Sequence, residues 1–124
     1  MAWCSFFYKY LRYFSQINSS KGVKIVKQLQ AEITAFLKER DWLDQYNHPK
    51  DLAISLSLEA AELLECFQWK TDEIALKENR EELLKEVADV LIYALQIAES
   101  MGADGEELVR MKLAENRRRT WPKK

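Results

Sequence analysis

The sequence predicts an all-α protein, on three observations. Only three Gly and two Pro interrupt 124 residues. Long segments repeat their apolar residues at helical spacing. No segment sustains the apolar–polar alternation of a half-buried strand. The length suits one domain, which at this size buries roughly two-thirds of its unfolded surface.

The first element is unusual. Residues 3–17 hold seven of the fourteen aromatic side chains. Ser5, Lys9, Arg12 and Gln16 follow steps of four, three and four, a narrow polar stripe on a helix. The apolar remainder needs a cover. Packing on the body or on another subunit, contact with a membrane surface, and an extension without order are the three readings open to it. Asn18, Ser19, Ser20, Lys21 and Gly22 read as a linker, so residues 1–22 stand apart as an aromatic extension that a helix would suit.

The first helix of the body is expected over residues 23–40, with Val26, Leu29, Ile33, Phe36 and Leu37 as its apolar face. Residues 41–50 form a loop with Trp42, Tyr46, His48 and Pro49. Asp51 suits the N-cap of a second helix that reaches about residue 70. Residues 71–79 connect, with room for one helical turn. A third helix spans about 80–101, and Gly102 suits its C-terminal cap. Asp104 suits the N-cap of a fourth, with Glu106 and Glu107 in its first turn, where the macrodipole favours acids. That helix ends before Trp121 and Pro122, so the domain is placed at residues 23–121, with a basic tail at 122–124.

Composition narrows the function classes. The net charge of −1 gives no argument for a nucleic-acid partner. Between residues 59 and 89, ten acids face four bases, a locally acidic centre. Cys4 and Cys66 are too few and too far apart for a disulfide framework, which favours a reduced, cytoplasmic protein. No apolar run approaches the ~18–20 residues of a membrane span, so no membrane partner is expected. The N-terminus lacks the order of a signal peptide.

Two couplets carry the chemistry. Glu59-Ala-Ala-Glu62 and Glu86-Val-Ala-Asp89 lie 23 residues apart in stretches of Leu, Ile, Val and Ala. Residues three apart share a helix face. On the second helix the stripe reads Ser55, Glu59, Glu62, Cys66, Trp69; on the third it reads Glu82, Glu86, Asp89, Tyr93, Gln96. Leu83, Leu84, Val87, Val90, Leu91 and Leu95 around the latter are expected in the core. Facing stripes would gather four carboxylates. Two unit charges ~4 Å apart repel by about 4 kcal/mol at an effective dielectric of 20, and protonation or a cation relieves this. An all-oxygen donor set suits Mg²⁺. Zn²⁺ and iron fit less well, because neither stripe carries a His and the single His of the chain, His48, is in a loop. On the fourth helix Val109, Lys112, Asn116 and Arg119 share a face whose polar members suit phosphate oxygens. A lone Glu-x-x-Glu is ordinarily a solvated face, and Trp42, Trp69 and Tyr93 would by default be packing aromatics; two couplets in two apolar helices favour a pocket.

These residues resemble the MazG-type all-α nucleoside triphosphate pyrophosphohydrolases. Arg40-Asp41-Trp42, His48-Pro49-Lys50-Asp51-Leu52, Glu62-Leu63-Leu64-Glu65, Phe67-Gln68-Trp69-Lys70 and Glu86-Val87-Ala88-Asp89-Val90-Leu91 are similar to the branch that includes the dCTP pyrophosphatases. The resemblance covers roughly residues 26–121. It implies a four-helix bundle completed by a homodimer or homotetramer, and cleavage of a nucleoside triphosphate between its α and β phosphates. It implies Glu59, Glu62, Glu86 and Asp89 as Mg²⁺ ligands, with Glu59 or Glu62 also orienting the attacking water as the catalytic group. It implies Lys112, Asn116 and Arg119 on phosphate and sugar, and Trp42, Trp69 and Tyr93 around the base. His48 departs from the family pattern; Asn47 or His48 fills the polar loop position. The expected substrate is dCTP-like. The alternatives are another nucleotide, such as phosphoribosyl-ATP, or a non-catalytic helical oligomer that uses the acids as a structural metal or partner site.

Overall fold

The computed structural model describes residues 24–120. The aromatic extension, the linker, the outer bounds expected for the domain and the basic tail lie outside the described residues.

Every regular element among the described residues is helical. α1 spans Ile25–Glu39, and just past its C-cap Arg40 the left-handed φ of 57° at Asp41 lets the Trp42 N–H donate to the Leu37 carbonyl at 2.8 Å. A short 3₁₀ turn, Leu43–Asn47, follows. α2 spans Pro49–Glu65. Its N-cap is His48 rather than the expected Asp51, because Pro49 takes the first helical position, where its missing N–H costs no hydrogen bond. Asp51 lies in the first turn instead, still favoured by the macrodipole.

α2 stops at Glu65, short of the expected residue 70. The freed Cys66 carbonyl accepts from Asn79 Nδ2 at 2.7 Å, and Lys70 Nζ donates to Asn79 Oδ1 at 3.1 Å and Glu78 at 3.0 Å. These long-range bonds replace the helical ladder and turn the chain. Trp69 sits in that turn at φ 61°. The connector is itself a helix, α3, Asp72–Glu78, whose N-cap Thr71 accepts from the Ile74 N–H. α4 spans Arg80–Ser100. Gly102, at φ 69°, closes it as expected. α5 spans Gly105–Arg118, and Asp104 accepts from the N–H groups of Glu106 and Glu107, the expected cap.

α2 and α4 form the central pair. Glu62 lies against Glu86, Glu59 feels the charge of Asp89, and Ser55 shares a cleft with Tyr93, so the two helices run in opposite directions. Leu52 (2% exposed) and Leu83 anchor the buried seam. α1 crosses α4, with Ile33 and Leu37 buried beneath it.

A polar clamp joins α1 to the turn before α5. Gln30, fully buried, donates from Nε2 to Glu99 Oε2 at 2.7 Å and to the Ala103 carbonyl at 2.9 Å. Its Oε1 accepts from the Gly105 N–H at 2.8 Å, the first donor of α5. Each helix begins with N–H groups that lack an intrahelical partner; here the cap and the clamp share that role.

The core is thinner than the sequence suggests. Of the apolar residues expected inside around the third-helix stripe, Leu83 is buried and Val90 and Leu95 are partly covered, whereas Leu84, Val87 and Leu91 are exposed. Ile54 and Leu58 of α2 are exposed as well. α2 covers one side of α4 and α1 a second. A helix apolar on further sides therefore presents uncovered faces.

Candidate metal centre and cleft

Antiparallel packing of α2 on α4 brings the couplets face to face. One carboxylate oxygen from each of Glu59, Glu62 and Glu86 lies within 4.8 Å of the other two. Asp89 stands outside this triplet, although its charge acts on both Glu59 and Glu86.

Burial pushes the Glu59 carboxyl above its ordinary range, and the charges of Glu62, Asp89 and Glu86 push it further. Burial likewise raises Glu86, with Glu62, Asp89, Glu82 and Glu65 adding repulsion. Neither carboxylate has a neutralising base among these causes. Glu86 Oε2 is also enclosed without a hydrogen-bond partner. A buried polar atom in that state requires an explanation. Hard oxygen donors, crowded like charges and one orphaned oxygen fit a hard divalent cation.

The triplet opens onto a cleft of about 1160 Å³ between α1 and the α2–α4 pair. Glu59, Glu62 and Asp89 form its acidic end. Phe36, Trp42 and Tyr93 supply aromatic walls, and Leu29 and Ile33 of α1 an apolar one. Trp42 meets Phe36 edge to face, with centroids 6.1 Å apart and planes at 81°. A smaller cleft of about 440 Å³ shares Trp42, Gln45 and Tyr93 and adds Asp44, His48, Asp51 and Ser55. His48 Nε2 lies 3.1 Å from Asp44 Oδ2. The Asn47 amide donates to the same carboxyl, which these two neighbours hold below the usual carboxylate range.

Thus the chain assembles the four acids with Trp42, His48 and Tyr93. It does not bring in the other expected residues. Trp69 is 95% exposed, because α2 ends one turn too early to keep it on the carboxylate stripe. Lys112 pairs with Glu115 at 2.9 Å, Arg119 approaches the same acid at 3.5 Å, and Asn116 is partly covered; all three lie outside these clefts. Sequence reasoning gave no site role to Glu32, Phe36, Gln45 or Gln96, which line the large cleft. Gln96 did fall on the third-helix stripe, and Phe36 on the apolar face of the first. Nothing local marks Glu32 or Gln45.

Fold and site define a class: an all-α protein whose central helix pair holds a hard-oxygen donor cluster at the end of an aromatic cleft. Residues 54–124 match the model of the MazG-like family. The chain belongs to that family.

It is 36% identical over 107 residues to dCTP pyrophosphatase 1 of Bos taurus, covering 82% of this chain and 61% of that protein. It is 38% identical over 99 residues to dCTP pyrophosphatase 1 of Homo sapiens, covering 76% and 56%. A dATP/dGTP diphosphohydrolase of Cyanophage S-2L is 38% identical over 96 residues, covering 77% of each chain. The chain therefore spans about three-fifths of the mammalian relatives' length. The crystal structure of a pyrophosphatase from Archaeoglobus fulgidus DSM 4304 superposes with a TM-score of 0.72 at 34% identity, over 84% of this chain and 98% of that one.

Proposed function

We propose that this chain hydrolyses a nucleoside triphosphate, dCTP-like in its base, to the monophosphate and pyrophosphate. The observation that carries this reading is the Glu59–Glu62–Glu86 triplet at the acidic end of a cleft with aromatic walls. Relatives named for dCTP and for dATP and dGTP support a deoxynucleotide and leave the base to experiment.

Glu59, Glu62, Glu86 and Asp89 would hold Mg²⁺. When bound, the metal neutralises charge on phosphate oxygens and on the leaving pyrophosphate, and lowers the pKa of water. Glu59 or Glu62 would also orient the attacking water and accept its proton. Trp42 and Tyr93 flank the base, and stacking on Trp42 is tolerant of base identity. His48, on its Asp44 partner, borders the same wall from the smaller cleft.

Lys112, Asn116, Arg119 and Trp69 reach a phosphate or base only in a homodimer or homotetramer, where a second copy supplies them. The uncovered faces at Ile54, Leu58, Leu84, Val87 and Leu91 support that assembly. Among the described residues no helix is long and apolar enough to cross a membrane.

The test is direct. Purified protein with MgCl₂ is given each of the four dNTPs, and products are separated. Monophosphate and pyrophosphate are expected, and Asp89→Asn should abolish their release. Orthophosphate alone, or full activity in Asp89→Asn, refutes the reading.

A further inference from the structure

A second enclosed atom without a partner lies at the other end of the large cleft. Gln96 is 3% exposed, and its Oε1 makes no hydrogen bond. Gln96 lines the cleft together with Asp89 and Tyr93 of its own helix and with Leu29 and Ile33 of α1. It lies seven positions beyond Asp89, about 10 Å along the helix at 1.5 Å per residue. Asp89, Tyr93 and Gln96 follow steps of four and three, so they share one face.

That placement has a chemical meaning. A triphosphate whose phosphates lie at the carboxylates extends its sugar and base along the cleft, past Tyr93 toward Gln96. A buried carbonyl oxygen among leucine and isoleucine side chains is costly until a donor reaches it. Glutamine offers an acceptor that stays uncharged at every working pH. A base that projects an exocyclic N–H satisfies it. In the amide orientation the structure shows, a base that projects a carbonyl at the same position sets oxygen against oxygen.

We propose that Gln96 is a specificity residue that reads the base. Its Oε1 accepts from the exocyclic amino group of an amino-bearing base, cytosine or adenine, and disfavours the keto analogue. The proposal rests on the pyrophosphohydrolase reading above. It assigns the preference to α4, beyond the metal ligands and outside the aromatic walls.

The experiment compares kcat/KM for two substrate pairs that differ at one position, dCTP against dUTP and dATP against dITP. Wild-type protein should prefer the amino member of at least one pair by about tenfold or more, since a site built to hydrogen-bond a group rejects its replacement strongly. Gln96→Met keeps length and volume but removes the acceptor. It should bring that ratio close to one, chiefly by raising KM for the amino substrate, with kcat for the keto substrate little changed. Gln96→Glu keeps acceptor oxygens and should retain the amino preference, which serves where the Met variant does not fold.

Equal rates on both members of each pair in the wild type, a keto preference, or an unaltered ratio in Gln96→Met would each overturn the proposal alone. A uniform loss across all four substrates would reduce Gln96 to a packing role and overturn it too. Release of no pyrophosphate from any triphosphate sinks the functional reading first, and this inference with it.

Discussion

Replacing Gln30 by Met tests how α5 is held. Met matches glutamine in length, so the cavity stays filled and the effect is on hydrogen bonds. Three contacts disappear: those to Glu99, to the Ala103 carbonyl and from the Gly105 N–H. Glu99 keeps Lys27 Nζ at 2.8 Å and loses little. Gly105 is buried and Ala103 is partly covered. An orphaned buried group costs ~1–3 kcal/mol. The added apolar burial returns about 1 kcal/mol. With both groups orphaned the net loss is about 1–5 kcal/mol. At ~4–8 °C per kcal/mol for a domain of this size, Tm should fall by roughly 5–40 °C. Urea unfolding at fixed protein concentration, with the m-value compared, is the assay. A loss below about 1 kcal/mol at unchanged m would refute the clamp. Gly105→Ala gives an independent view, because its Cβ would come within 2.7 Å of Leu95 Cδ2 and 3.3 Å of Gln30 Oε1.

Four further outcomes follow from the same geometry. Glu59 and Glu86 have raised carboxyl ranges in the folded chain, so without metal the stability they contribute is present below the ordinary glutamate value and lost as pH rises through the raised one. Accordingly Glu86→Gln should raise Tm of the metal-free protein at pH 7.5, yet remove most of the gain from Mg²⁺, which is ~2.7 kcal/mol at 100 times its Kd. The Mg²⁺ gain in wild type should fade as pH drops into that carboxyl range; melting curves that show the same gain at pH 8 and pH 4.5 contradict this. Leu52→Ala, at a site 2% exposed between α2 and the body, should cost about 2–5 kcal/mol in chemical denaturation. Trp42→Ala, half-exposed with its ring edge-on to Phe36, should raise KM by roughly tenfold through lost stacking while Tm moves little; an unchanged KM removes Trp42 from the base wall.

The residues that were legible in the sequence share one property: their positions are fixed by the helix itself. Periodicity placed Glu59 with Glu62, and Glu86 with Asp89, on single faces. Asp104 and Gly102 were readable as caps because capping is a local bargain between one side chain and the nearest peptide groups. Trp69 was assigned to the carboxylate stripe by the same periodicity, and there the rule failed. Asn79 and Lys70 reach back across the turn to end α2 at Glu65, and those bonds span up to 13 residues. Gln30 is not among the apolar residues Val26, Leu29, Ile33, Phe36 and Leu37 of its helix, yet it is buried because α5 starts against it.

The sequence by itself determined the helices, the azimuth of each acid on its helix, and hence the suspicion of a metal. Only the tertiary structure decided which acids converge. The antiparallel register of α2 on α4 brings Glu59, Glu62 and Glu86 within 4.8 Å and leaves Asp89 beside them. The same packing sets Gln96 in the lining of the large cleft and leaves Lys112, Asn116 and Trp69 outside both clefts. A helical period is set by bonds between residues four apart. Register, burial and the reach of one side chain to another are set by contacts far apart in the chain, which no local spacing encodes.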